Sequence, residues 1–244
     1  MDPRHPLRGP SWLVRVQPRG HKTPLFCVTG GYGDMLALSG IARQLGDDQP
    51  FYGLQPPTDE PEHDSPEVMR TRLLACYVAA IRGVQPDGPW RLAGYSSGGL
   101  LAAGIARALE DEGDVERLLL LDPPGSIPGY EYRGYLKIRE LVRRHYPRPS
   151  RLLPRDVKVF HAYFTDDGFA RHALAATDYY PPPLRVRPTV LIGRRSVLRL
   201  FSARYWPFHT HGNLDTVYIP GGHFSLLREP HSRILAAAIR DALA

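Results

Sequence analysis

Short apolar runs alternate with longer amphipathic segments from residue 24 onward, and this alternation is the main structural signal of the chain. Strands of a parallel sheet are buried on both faces, so they read as nearly continuous apolar runs, whereas helices repeat apolar residues at helical spacing. The pattern favours an α/β fold, with a mostly parallel sheet flanked by helices. The predicted strands are 24–29, 50–54, 89–95 and 115–122, and the predicted helices are 34–45, 66–84 and 97–113.

The alternation stops between residues 123 and 187, where proline-rich turns separate helical patterns and no clear strand occurs. We expect a helical lid of roughly 60 residues here, inserted into one domain that spans 1–244, because long irregular segments of compact domains usually carry function. Its predicted helices are 135–146 and 154–164, and beyond it we predict strands at 188–193 and 214–220 and a helix at 231–244. The apolar residues that we expect to face a substrate from the lid are Leu136, Leu141, Phe160 and Phe164.

The strand predicted at 89–95 runs directly into the glycine-rich segment Gly-Tyr-Ser-Ser-Gly-Gly, which ends at Gly99. A Gly-x-Ser-x-Gly motif alone is weak evidence, since glycine and serine are common in turns. Between a strand and a helix, however, it indicates a sharp elbow that exposes a serine hydroxyl above the sheet. We therefore predict that Ser96 is a nucleophile.

A serine nucleophile needs a base, and His223 is the best candidate of the ten histidines. It follows a predicted strand and a Gly-Gly turn, which places it at the carboxyl edge of the sheet together with Ser96. His209 and His211 form a His-x-His pair in a predicted loop, but no carboxylate or cysteine cluster accompanies them, so we expect no metal site.

The histidine in turn needs an acid, and Asp122 is the predicted one. The usual position follows the strand 188–193, but no Asp or Glu occurs between Arg194 and Asn213. Asp215 comes next and opens the following strand, at the wrong end of the sheet. Asp122 ends the strand after the serine strand, although a capping role before the two following prolines is the alternative.

An oxyanion hole requires two backbone N–H groups, one from the residue after the nucleophile and one from an early loop. Ser97 provides the first. The glycine-rich loop 28–34 follows an early strand, and we choose Gly31 as the second donor, with Tyr32 next. The loop matches neither a dinucleotide fingerprint nor a P-loop with its lysine.

Composition narrows the classes of function. Apolar residues make up 43% of the chain, enough for a sizeable core, and no apolar run approaches the length of a membrane span. We expect a cytoplasmic protein whose two cysteines, Cys27 and Cys76, are reduced and without chemistry. The net charge of +6 suggests an acidic partner, but no nucleic-acid recognition motif accompanies it, so we expect neither nucleic-acid nor membrane binding.

These motifs together resemble the thioesterase domains of nonribosomal peptide and polyketide synthases, which have the α/β-hydrolase fold. The resemblance covers most of the chain and is carried by "PLFCVTGGYGD", "GYSSGG", "VERLLLLDPP" and "GGHFSLL". It implies a lid after the acid strand and an acid at the position of Asp122. One departure is "VTGG", where many relatives have His-Gly, and this leaves the second oxyanion donor open.

The resemblance also implies a substrate, namely an acyl chain held as a thioester on the phosphopantetheine arm of a carrier protein, with no further cofactor. Ser96 would accept the chain, and water or an internal hydroxyl or amine would release it as an acid, lactone or lactam. Carrier proteins are generally acidic, so the arginines of the lid are either a docking surface or a solvated helix face. These arginines are Arg139, Arg143, Arg144 and Arg148.

Three alternatives stay open from the sequence. A small-molecule esterase or lipase would use the same triad without a carrier protein, and an editing thioesterase would clear stalled acyl groups as a separate protein. A non-catalytic binding module of the same fold normally lacks the serine or the histidine, whereas both are present here.

Overall fold

A seven-stranded sheet forms the centre of the protein in a computed structural model. The structure describes residues 12–30, 35–56, 65–125, 132–145, 161, 165, 175–176, 183–196 and 198–244. The strands are β1 (Leu13–Gln17), β2 (Leu25–Val28), β3 (Phe51–Leu54), β4 (Trp90–Tyr95), β5 (Val115–Leu121), β6 (Thr189–Gly193) and β7 (Asp215–Ile219). Their order in the sheet is β1-β3-β2-β4-β5-β6-β7. Of these seven described strands, only β1 pairs antiparallel, with β3, so the mostly parallel sheet that the sequence predicted is confirmed.

Helices cover both faces of this sheet. In the described part of the chain they are α1 (Met35–Leu45), α2 (Pro66–Val84), α3 (Gly98–Leu109), α4 (Tyr132–His145), α5 (Arg199–His209) and α6 (His231–Leu243). Helices α2, α3 and α5 bury side chains in one core, with Leu118 and Leu120 of β5. Helices α1 and α6 pack in a second core with Leu119 and Leu121 of the same strand. None of the helices in the described residues is long and apolar enough to cross a membrane.

Helix α3 is shorter than the predicted helix 97–113, because it ends at Leu109. The next residue, Glu110, is buried, and its carboxylate accepts hydrogen bonds from the backbone N–H groups of Arg185 and Val186. The chain then turns, with the N–H of Gly113 donating to the carbonyl of Leu109. The charged residues after Leu109 continue a helical pattern in sequence, but the chain leaves the helix in this turn.

The loop predicted around the His-x-His pair is partly wrong, because His209 is the last residue of α5. This helix contains two arginines and a proline, Pro207, two residues before its end. Tyr205 and Trp206 are buried in the core that α2 and α3 share, so tertiary packing stabilises a segment of weak local signal.

The predicted lid falls largely outside the described residues. Helix α4 covers most of the first predicted lid helix, 135–146, whereas the second, 154–164, lies outside them apart from His161. The lid as a whole and the single-domain boundary 1–244 therefore stay predictions.

Glycines allow β4 and α3 to approach closely at the carboxyl edge of the sheet. A Cβ atom at Gly94 would lie 2.3 Å from the carbonyl oxygen of Gly98. A Cβ atom at Gly98 would lie 2.5 Å from the carbonyl oxygens of Val28 and Thr29. Both distances are far below normal contact, so the strand, the helix and the end of β2 meet in this way only without side chains at these two positions.

We expect Gly94→Ala to destabilise the protein by about 1–3 kcal/mol, the usual cost of forcing extra atoms into a packed region. Gly40→Ala is the matched control, because residue 40 lies in α1 and a Cβ atom there would meet nothing within 4 Å. The control should gain roughly 0.5–1 kcal/mol from helix propensity. Urea unfolding measures both free energies, and a Gly94→Ala protein as stable as the wild type would contradict the close contact between strand and helix.

Candidate active site

Ser96 and Asp122 follow two neighbouring parallel strands at the same edge of the sheet. The register pairs Tyr95 of β4 with Leu121 of β5, so both side chains come one residue after a paired position. The N–H of Ser96 donates to the carbonyl of Leu121 at 3.0 Å, which extends the ladder up to the serine itself.

Ser96 has a left-handed backbone conformation, with φ at 55°, although it is not a glycine. Such a conformation is uncommon for residues with a Cβ atom and stores strain, and it is characteristic of a serine held on a sharp turn. The carbonyl of Ser96 accepts a hydrogen bond from the N–H of Gly99 at 2.9 Å, so the turn leads directly into α3. The elbow that the motif indicated is therefore present at Ser96.

His223 lies between Ser96 and Asp122 and reaches both. Its Nε2 is 3.0 Å from Ser96 Oγ, and its Nδ1 is 2.6 Å from Asp122 Oδ2. His223 is 8% exposed and Asp122 is fully buried. Because a carboxylate only accepts hydrogen bonds, Nδ1 is the donor to Asp122, which leaves Nε2 facing the serine hydroxyl. The structure thus brings together the three residues that the sequence singled out.

The ring of His223 is held by the residue that precedes the serine. The rings of Tyr95 and His223 stack with centroids 5.0 Å apart and an angle of 15° between their planes. The hydroxyl of Tyr95 donates to the carbonyl of His223 at 2.8 Å. The ring of Phe224 contacts the same imidazole edge-on, with the ring centroids 4.8 Å apart. Sequence reasoning assigned Tyr95 no role, although its place inside the serine motif was a signal.

Both carboxylate oxygens of Asp122 accept further hydrogen bonds from the segment after β6. The N–H of Gly193 donates to Oδ1 at 2.8 Å, and the hydroxyl of Ser196 donates to Oδ2 at 2.5 Å. Ser196 is also a residue that sequence reasoning missed. It lies between Arg194 and Asn213, in the segment that contains no Asp or Glu.

The predicted oxyanion donors are described in part. Ser97 is the N-cap residue of α3 and is buried beside the nucleophile, whereas Gly31 lies outside the described residues, as does Tyr32. The preceding residue, Gly30, approaches the serine closely, because a Cβ atom there would lie 2.6 Å from Ser96 Cβ. The glycine-rich loop after β2 therefore borders the nucleophile at Gly30.

The structure describes two of the four predicted lid residues. Leu136 and Leu141 belong to α4, and Leu141 is 57% exposed. Phe160 and Phe164 lie outside the described residues.

Asp215, the other acid considered for the triad, lies away from the active edge. It begins β7, at the opposite end of the strand, where its carboxylate pairs with Arg187 at 2.6 Å.

The cysteine and the histidine pair show no sign of catalytic or metal chemistry in the described residues. Burial raises the pKa of the Cys27 thiol to about 12, which leaves it protonated and unreactive at neutral pH. Burial and then the charge of His211 lower the pKa of His209. Among the described residues, no group of three or more His, Cys, Asp or Glu could hold a metal ion.

Comparisons with curated proteins find similarity to segments of much longer synthetases. The chain is 39% identical over 102 residues to an atromentin synthetase, invA5, of Paxillus involutus, a match of 42% of this chain and 11% of that protein. It is 39% identical over 116 residues to an indigoidine synthase of Dickeya dadantii, a match of 48% of this chain and 8% of that protein. The chain thus spans about a tenth of the length of these relatives.

Among solved structures, the NocB thioesterase domain from the nocardicin cluster is similar over nearly the full length of both chains. In its covalent complex with a fluorophosphonate nocardicin G analogue, it is 27% identical with a TM-score of 0.70, and the alignment covers 96% of this chain and 100% of that one. The family model described as "Thioesterase domain" matches residues 23–243. The chain therefore belongs to the thioesterase domain family, with an α/β-hydrolase fold.

Proposed function

We propose that the chain is a serine thioesterase that releases a peptidyl or polyketide acyl chain from a carrier-protein phosphopantetheine thioester. The observation that carries this proposal is the continuous line of hydrogen bonds from Ser96 through His223 to Asp122, in a chain of the thioesterase domain family. The long synthetases among its relatives support a domain that acts within a larger assembly.

Acyl transfer to the enzyme begins at Ser96. His223 Nε2 takes the hydroxyl proton while Oγ attacks the thioester carbonyl, and the buried carboxylate of Asp122 stabilises the imidazolium that forms. When the tetrahedral intermediate collapses, the C–S bond breaks and His223 returns the proton to the leaving sulfur. The products of this half-reaction are acyl-Ser96 and the free phosphopantetheine thiol.

Release of the acyl group repeats these steps with another nucleophile. Water, or a hydroxyl or amine of the acyl chain itself, gives its proton to His223 and attacks the ester, and Ser96 Oγ leaves with the proton that His223 donates. The N–H of Ser97, at the N-terminus of α3, and an N–H of the loop after Gly30 would stabilise the oxyanion in both halves. The mechanism uses no metal and no cofactor other than the arm that presents the substrate.

The proposed partner is an acidic carrier protein. Exposed arginines of α4, Arg143 and Arg144, support this partner, as do Arg194, Arg195 and Arg199, which are exposed in the segment after β6 at the active edge. Arg143 also makes a contact within the protein, because its guanidinium donates a hydrogen bond to the carbonyl of Thr165 at 2.8 Å. Arg148 lies outside the described residues.

An editing thioesterase and a small-molecule esterase remain the competing functions. Turnover of one acyl chain as a carrier-bound thioester, a free pantetheine thioester and an ethyl ester separates them. A releasing domain prefers the carrier-bound, full-length chain, an editing enzyme prefers short acyl groups on the carrier, and an esterase turns over the ethyl ester at least as well.

Ser96→Ala should fold normally and lose at least about a thousandfold in turnover, as expected when a triad nucleophile is removed. Intact-mass analysis after incubation with acyl pantetheine thioesters should show one added acyl group on the wild type and none on the variant. Acylation of the variant, or of another residue in the wild type, would overturn the assignment of the nucleophile.

Asp122→Asn should lose roughly ten-thousandfold in kcat, because an amide favours the wrong histidine tautomer and cannot stabilise the imidazolium. Asp215→Asn is the matched control, since that carboxylate is 54% exposed and paired with Arg187. The control should stay within a few-fold of wild-type turnover in the same steady-state assay. Equal losses in the two variants would remove Asp122 from the proposed triad.

Gly30→Ala should lower kcat/KM at least about a hundredfold, because a methyl group 2.6 Å from Ser96 Cβ must displace either the serine or the loop. Gly40→Ala again serves as the control and should keep wild-type kinetics. Circular dichroism and urea unfolding establish whether Gly30→Ala is folded. A folded Gly30→Ala enzyme with normal kcat/KM would show that the loop does not constrain the nucleophile.

A further inference from the structure

Ser196 carries a buried hydroxyl that the proposed mechanism does not use. It follows β6 after a short turn, and its Oγ lies 2.5 Å from Asp122 Oδ2. The same carboxylate oxygen lies 2.6 Å from His223 Nδ1. One oxygen of the acid therefore faces both the histidine and the serine hydroxyl.

The direction of this hydroxyl is fixed by its other contact. The N–H of Leu198 donates to Ser196 Oγ at 3.1 Å, which occupies an acceptor position of the oxygen. The carboxylate of Asp122 offers only acceptors, so the Ser196 proton points at Oδ2. Hydrogen bonds to a carboxylate are stronger than those between neutral groups, and the bond from Ser196 to Asp122 is of this kind.

The backbone around Ser196 is held independently of the side chain. The N–H of Ser196 donates to the carbonyl of Gly193 at 3.0 Å, and the N–H of Arg195 donates to the carbonyl of Gly221 at 2.8 Å. The N–H of Gly193 donates to Asp122 Oδ1 at 2.8 Å. A single turn, residues 193–196, thus holds both oxygens of the acid and is anchored to the loop that carries His223.

We propose that Ser196 is a positioning residue for the triad. The terminal torsion of an aspartate is soft, and without Ser196 the N–H of Gly193 would be the one donor described here that orients the carboxylate independently of the histidine. The Ser196 hydroxyl is a second such donor and keeps Oδ2 aligned with His223 Nδ1. The inference rests on the proposed function only in taking Asp122 as the acid partner of His223.

The first experiment compares two buried serines. Ser196→Ala should lower kcat about 10- to 100-fold, the range expected when a catalytic group is displaced from its working geometry, and leave KM within about twofold. Ser196→Thr, which keeps a hydroxyl, should retain more turnover than the alanine variant. Ser202→Ala is the matched control, because Ser202 is fully buried in α5 and its Oγ has no hydrogen-bond partner in the described part of the chain.

The second experiment asks whether Ser196 acts through Asp122. In an Asp122→Asn background, Ser196→Ala should cause no further loss, because the carboxylate that it positions is already gone. A full additional loss in the double variant would overturn the proposal. So would wild-type kcat for Ser196→Ala, or an equal loss for Ser202→Ala.

A fluorophosphonate provides a readout that needs no acyl substrate, since Ser96 Oγ displaces fluoride from phosphorus while His223 takes the proton. The labelling rate, followed by intact mass, should fall about 10- to 100-fold in Ser196→Ala. If the wild type is labelled at Ser96 but accepts no acyl group from thioesters, the proposed function fails while this rate still tests Ser196. Should the alanine variant not fold, Ser196→Cys keeps a similar volume with a weak donor, and its labelling at the wild-type rate would overturn the proposal.

Discussion

The buried carboxylate of Asp122 is the constraint on which the arrangement of the active edge depends. Burying a charge is costly unless hydrogen bonds replace the lost water, so each oxygen of a fully buried carboxylate needs donors. Gly193, Ser196 and His223 provide them. These donors belong to the end of β6, to the turn after it and to the loop after β7. The hydrogen bonds that the Asp122 carboxylate needs therefore hold these three segments in place.

The glycines of the serine motif meet a different requirement at the same edge. Gly94 and Gly98 leave no room for a Cβ atom, and β4, α3 and the end of β2 converge there. The strained backbone of Ser96 lies between them, with φ at 55°. Close packing on both sides is what can hold a residue in such a conformation, because strain persists only where the surrounding structure overrides it. The strain and the glycines are therefore two parts of one feature.

Much of this site could be predicted because parallel strands end at a common edge. The apolar runs predicted the strands. Asp122 ends one of them, Ser96 directly follows another, and His223 follows a third after a Gly-Gly turn. Ser196 could not be found in this way, because a hydroxyl donor has no sequence pattern and its partner lies 74 residues away. The formation of α5 was missed for the same reason, because it depends on a tertiary contact, the burial of Trp206 in the core.

Because the acid directly follows β5, the geometry of the nucleophile and the acid depends on the ladder between β4 and β5. Tyr95 pairs with Leu121, and the N–H of Ser96 continues the ladder to the carbonyl of Leu121. A slip of one residue between β4 and β5 would turn the side chain of either Ser96 or Asp122 to the other face of the sheet. Burial resists such a slip, because Leu118 and Leu120 pack in one core and Leu119 and Leu121 in the other. The alternating leucines of β5 thus do more than fill two cores, since their register also fixes the distance between Ser96 and Asp122 that a single imidazole bridges.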